Sequence, residues 1–308
     1  MSDFTSAKAS HLHGVISVLV ALPFVSLTGL FGKFLTLSPL LIVQGRTVFA
    51  FGALLLAILF LRKKIFFSEH REWLWLVLSG SILGVHWIAF FQAIQVSTVA
   101  IGLLSFASYP LFTTLLEPLF FREPLRVRNV FAALIVICGL TLMATSSSDD
   151  SNTIISGSVF HGILWGLMAG FGFAVLTLLN RGHVRKHSAL LITCWQNGFA
   201  ALVILPWSLS ESWIISGKEL GLLFILGVVC TVGGHTLLIN GLRHVRAQVA
   251  SMLIAGLEPV FAILFALFLL GEVPSLQTLL GGVLIMSTTV FIIYGTEQKE
   301  IPEQAVSK

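Results

Sequence analysis

Ten runs of about twenty mostly apolar residues follow one another along the 308-residue chain, at about 14–34, 40–61, 73–94, 98–121, 128–145, 157–179, 189–208, 219–241, 248–270 and 277–295. A helix that crosses the hydrocarbon of a bilayer needs roughly 20 such residues. The expected fold is therefore all-α and integral to the membrane, with ten transmembrane helices. Charged residues are 10% of the chain, against about 25% in a soluble domain, and the connections are short. Any site must lie among the helices or at their ends.

Lys8 before the first run invites reading it as a signal peptide. Further spans follow it, however, and no small-residue cleavage site closes it. Cys138, Cys194 and Cys230 fall within spans at no ligand-like spacing and read as small apolar packing residues. The positive charges are confined to alternate connections: Arg62, Lys63, Lys64 and Arg71; Arg122, Arg126 and Arg128; Arg181, Arg185 and Lys186; Arg243 and Arg246. With Lys8, Lys299 and Lys308 in the tails, fifteen of eighteen basic residues share one side, and Lys33 and Lys218 lie on the other. By the positive-inside rule both termini are expected in the cytoplasm, with Asp149, Asp150 and Glu211 outside. Charge distributed in this way does not describe a nucleic-acid surface.

The chain is written twice. Ser108–Glu123 matches Gly256–Glu272 at an offset of 149, pairing Pro110 with Pro259 and Glu123 with Glu272. The same register pairs Gly84 with Gly233 and His86 with His235, while Ser38, Phe49 and Ala50 match Ser188, Phe199 and Ala200 at 150. Five spans per copy is an odd number, so the second copy starts from the opposite face. The expected domains are two inverted five-helix repeats, 14–147 and 157–295, joined at Ser146–Thr153. Inverted repeats place a substrate near mid-membrane between halves that move against each other.

The proline-centred fourth and ninth helices ending in Arg122-Glu123 and Gly271-Glu272 carry a family resemblance. So do the connector Gln95–Thr98 and the pair Lys33 and Arg46 around the first outer loop. Over nearly its whole length the chain resembles the EamA-type transporters of the drug/metabolite transporter superfamily. The resemblance implies a bacterial inner-membrane carrier of small metabolites, often an exporter of amino acids. The second copy departs from the first in having Gln196 where the first has Arg46.

Among single residues, Glu258 has the highest cost of placement, since a charge at mid-membrane costs at least about 2.5–3.5 kcal/mol. Either it exchanges a proton and couples transport, or it stays neutral and bonds a neighbouring helix. Pro110 and Pro259 each remove a backbone donor and are candidate hinges. His86 and His235 either satisfy themselves between helices or line the pathway. Trp87, Tyr109, Trp165 and Trp195 lie deeper than the interfacial aromatic belt and are candidates for a substrate wall, with packing as the alternative. Gln44, Gln92, Ser105, Ser108, Gln196, Asn197 and Asn240 are polar positions inside spans. Arg46 either snorkels to the outer surface or binds a substrate carboxylate at the mouth. Lys33 reads as an interfacial anchor, Glu117 as a salt-bridge partner, and Glu123 and Glu272 as helix caps or gate partners. The expected substrate set is Trp87, Tyr109, Trp165, Trp195, His235, Asn240, Glu258 and Arg46, with Glu258 as the coupling residue.

His183-Val-Arg-Lys-His187 has histidine-box spacing but stands alone in a basic loop. No phosphate loop, nucleophile elbow or paired aspartates occur. The expectation is a carrier, not an enzyme, with no cofactor or metal, acting on a small-molecule substrate by alternating access; the alternatives are a membrane-embedded enzyme and a channel-like subunit. Its other partners are membrane lipid and, through Glu258, a proton.

Overall fold

A computed structural model describes residues 2–67, 69–121, 127–145, 157–184, 186–245 and 247–297. The expected joint with Asp149 and Asp150, the charges Arg122, Glu123, Arg126, Arg185, Arg246, Lys299 and Lys308, and the side chains of Lys8, Glu117 and Arg128 lie outside what is described. Among the described residues the chain is all helical: α1 Ser2–Phe34, α2 Pro39–Phe60, α3 His70–Val96, α4 Val99–Phe106, α5 Tyr109–Phe121, α6 Val127–Ala144, α7 Gly157–His183, α8 Ala189–Ser208, α9 Gly217–Ile225, a π-helical segment Leu226–His235, α10 Thr236–His244, α11 Ala247–Leu270 and α12 Leu276–Glu297. Eight stretches are long and apolar enough to cross a membrane, α4 with α5 and α9 through α10 each counting as one. The apolar helices Leu134–Ala144 and Leu276–Thr288, where the fifth and tenth spans are expected, are shorter.

Local chemistry sets the helix starts. Ser38 and Ser188, matched in the two copies, are both N-caps, accepting the Leu41 and Leu191 amides at 3.3 Å. Thr98 does the same for α4, accepting the Ile101 amide at 3.1 Å. The expected fourth span is broken. After Phe106 the chain turns through Ala107 and Ser108, and Pro110 falls in the first turn of α5, where its missing N–H costs nothing. Pro259 instead sits inside α11, which continues through it.

The packing repeats with the sequence. In one group α7 lies along α3 and α4; in the other α1 lies along the π-interrupted helix and α11. α2 packs on α8, and α6 on α12. Glycines permit the close crossings. A Cβ on Gly80 would meet Phe199 Cβ at 2.6 Å, Gln196 O at 2.9 Å and Ala200 N at 3.2 Å. A Cβ on Gly227 would meet Phe49 Cβ at 2.6 Å, Arg46 O at 2.8 Å and Ala50 N at 3.2 Å, the matched atoms of the other copy. Gly80 and Gly227 thus hold equivalent places 147 residues apart, while the helix ends Val96 and His244 stand 148 apart. The partner of α3, Gly217–His244, is one residue longer. The π segment is where that residue is wound in, since a wider turn lengthens the chain without breaking the helix.

Candidate functional site

Arg46 is completely buried on α2. The alternative that it snorkels to the surface is corrected: its guanidinium turns inward. Its Cζ lies 3.6 Å from the centroid of Trp87 on α3 and 5.7 Å from that of Phe91, within cation–π range. Its Nε and Nη2 donate to Thr231 Oγ1 at 3.2 and 2.7 Å. Thr231 is presented by the π segment, and its own hydroxyl donates to Leu226 O, five residues back, at 2.8 Å.

Two other expected residues, His235 and His86, gather on the Trp87 ring that carries this cation, and Tyr109 lies behind them. The His235 ring lies 5.4 Å from the Trp87 ring, and that of its twin His86 4.8 Å from it. His86 donates from Nδ1 to Ala169 O at 2.8 Å, which ties α3 to α7. Tyr109, fully buried, stacks on Phe106 at 5.1 Å and meets Phe173 edge-on at 4.9 Å; both phenylalanines also touch the His86 ring. Arg46 Nη1 and Trp87 Nε1, both buried, have no hydrogen-bond partner, and neither do the buried Gln44 Oε1 and Ser105 Oγ. Two of them are N–H donors on groups in direct contact. A desolvated, incompletely bonded guanidinium costs several kcal/mol, an expense that proteins accept where a ligand completes the bonding.

The remaining candidates are dispersed. Glu258 is 2% exposed on α11, a helix that packs on α1, α4 and α12. Asn240 and Trp165 are half-buried on α10 and α7. Trp195 belongs elsewhere: its Nε1 donates to Ile65 O at 2.8 Å, and its ring packs with Trp73, Phe66 and Phe199. Gln196, the counterpart of Arg46, donates to Asn180 Oδ1 at 2.6 Å, a closed polar pair within the second copy.

The two ends of the bundle are tied differently. At one, Lys33 donates to Ser97 O at 2.7 Å, so it does more than anchor at an interface. There Glu272 accepts the Val99 amide on both oxygens at 3.0 and 3.1 Å. Burial raises the Glu272 carboxyl above its ordinary range, against the pull of the Val99 amide and Lys33. At the other end Glu72 faces His183 and His187 at 3.2 and 3.5 Å, and Arg243 donates to Val184 O and His187 O at 3.2 and 2.8 Å. Among the described residues no group of three or more ligating side chains is placed to hold a metal ion.

The EamA-like transporter family profile matches residues 12–145 and 160–294. The chain belongs to the EamA-like transporter family. An uncharacterized transporter of Bacillus subtilis (strain 168), YwfM, is 26% identical over 273 residues, 87% of this chain and 88% of its own. The S-adenosylmethionine uptake transporter of Rickettsia conorii is 27% identical over 226 residues, 72% of each chain. A crystal structure superposes with a TM-score of 0.65 over 93% of this chain and 96% of its own at 17% identity, a likeness of fold. The chain is thus a membrane transporter of the drug/metabolite type, and its relatives are transporters, not enzymes.

Proposed function

We propose that this EamA-family chain is an alternating-access carrier, built from inverted repeats at 14–147 and 157–295, for a small organic metabolite with a carboxylate, an amino acid or related solute. The observation that carries the reading is the enclosed Arg46 guanidinium, packed on Trp87 and held by Thr231, with Nη1 unbonded. A substrate carboxylate accepts from Arg46 Nη1 and Trp87 Nε1, and charge-assisted bonds of this kind are about twice as strong as neutral ones. The rings of Trp87, His235 and Tyr109 provide the apolar wall, and Asn240 and Trp165 its margin. The helices Leu134–Ala144 and Leu276–Thr288 complete ten spans in the bacterial inner membrane, with both termini in the cytoplasm.

Glu258, buried on α11, is the proton-exchanging group, and export against entry of a proton is its use. The Rickettsia relatives are named for uptake, so direction is a separate measurement. Purified protein in proteoliposomes should show saturable exchange of amino acids or amino-acid conjugates and counterflow driven by unlabelled substrate. Glu258→Gln should keep exchange and lose the response to an imposed pH gradient. Absence of counterflow across such a panel would overturn the amino-acid-like substrate. A pH response retained by the variant would remove Glu258 from coupling.

A further inference from the structure

Alternating access needs a closure that can let go, and the Lys33 end carries one with a definite chemistry. The two groups of helices, α3, α4 and α7 in one and α1, the π-interrupted helix and α11 in the other, are bridged there by two bonds of different origin. Lys33, in the last turn of α1, holds the Ser97 carbonyl in the turn between α3 and α4. Glu272, just past α11, holds the amide of Val99, the first residue of α4.

Sequence explains why Glu272 reaches across. Gly271 takes φ +66°, a left-handed conformation that a residue with a Cβ adopts only under strain. This ends α11, and the Glu272 amide turns back to Ala266 O at 3.2 Å, which directs its side chain off the axis of its own helix. The first amides of α4 have no carbonyl of their own helix to bond. A carboxylate there meets the positive end of the helix dipole. Thr98 takes the Ile101 amide, and Glu272 from the other helix group takes that of Val99. The cap of α4 is therefore borrowed, and separating the groups must break it.

We propose that Glu272, presented by Gly271 and supported by Lys33, is the latch of the outer gate. Its bond to Val99 holds the path from the Lys33 face to Arg46 shut, and its release opens that face. The inference rests on the alternating-access reading, but its test needs no substrate.

Cys230 is a native reporter: it is 1% exposed and next in sequence to Thr231, the partner of Arg46. In a variant with Cys138 and Cys194 replaced by alanine, an impermeant thiol reagent is applied to right-side-out and to inside-out vesicles. Glu272→Ala should speed labelling of Cys230 from the outside by about tenfold or more, the population shift expected from losing a hydrogen bond to a charged group, and leave labelling from the inside no faster. Glu272→Gln, which keeps an acceptor for Val99 without the charge, should fall between parent and alanine variant. Lys33→Gln should give a smaller outside-only increase. An unchanged outside rate in Glu272→Ala, or equal acceleration from both faces, overturns the latch. If the alanine variant does not accumulate, Glu272→Gln and Lys33→Gln decide the question by the same two outcomes. Outside-only acceleration in a protein that shows no counterflow would keep the gate and reject the proposed substrate.

Discussion

The helix α3 and its repeat-related partner, α9 through α10, begin from the same packing and end in different chemistry. Gly80 and Gly227 cross the opposing helices against matched atoms, and His86 and His235 come to the same Trp87 ring. After that crossing α3 runs as regular α-helix, while its partner takes one more residue into a π segment. That segment places Thr231 against Arg46. In the opposite copy Gln196, with no such cation to satisfy, bonds Asn180 on α7 instead. A duplicated scaffold has thus been made asymmetric by a local insertion, and the asymmetry is concentrated at the Arg46–Thr231 contact. The difference teaches that the repeats supply the frame and the departure from repetition supplies the contact on which the proposed site rests.

The most direct way to break this comparison is to exchange the two central residues. Arg46→Gln gives the first copy the residue of the second and removes the only buried arginine among the described residues. Substrate affinity should fall by about a hundredfold, as when one side of a buried charge-assisted contact costing about 3 kcal/mol is lost, with expression retained. Gln196→Arg should not create a second site. It breaks the pair with Asn180 and should lower thermal stability. Unchanged affinity in Arg46→Gln, measured by concentration dependence of counterflow, would end the comparison.

A smaller effect tests the π segment itself. Thr231→Val keeps the shape and removes the acceptor of two guanidinium N–H groups. Arg46 then loses its fixed position, and affinity should drop by about tenfold, in line with one hydrogen bond to a charged group. Thr231→Ser retains the hydroxyl and should restore most of it. If valine were neutral and serine harmful, Thr231 would be packing rather than orienting Arg46.

Much of the frame was legible before the fold. The 149–150 register pairs Ser38 with Ser188 and His86 with His235; that the serines cap helices and the histidines meet one tryptophan is added by the structure. The place of Glu272 at a helix exit marks it as a cap or gate partner, though which helix it caps is a tertiary fact. Arg46 was singled out, but depth along a helix does not tell which way a side chain turns, and its turn inward depends on Thr231 and Trp87. Trp195 shows the same limit, since its ring faces Trp73 and Ile65 rather than Arg46. The π segment leaves no sign in the sequence, because its residues, Leu226–His235, are as apolar as neighbouring α-helical spans, and a one-residue change of offset does not show without the contacts.

The finest test separates the two histidines, which a strict repeat would make equivalent. His86 donates its Nδ1 proton to Ala169 O, so a phenylalanine there removes the hydrogen bond that ties α3 to α7, at a cost of about 0.5–1.5 kcal/mol. His235 lies against Trp87 on the face of the helix that carries the π segment, beside the group that holds Arg46. His86→Phe should therefore lower the melting temperature of the purified protein and change affinity by no more than a few-fold. His235→Phe should do the reverse, keeping the aromatic contact and most of the stability while weakening substrate binding by a few-fold through the lost polar edge. Both quantities can be read from one set of thermal melts, taken with and without saturating substrate. Equal losses of stability in the two variants, with equal ligand-induced shifts, would mean that the copies still act as a symmetric pair at Trp87 and that the asymmetry stops at Thr231.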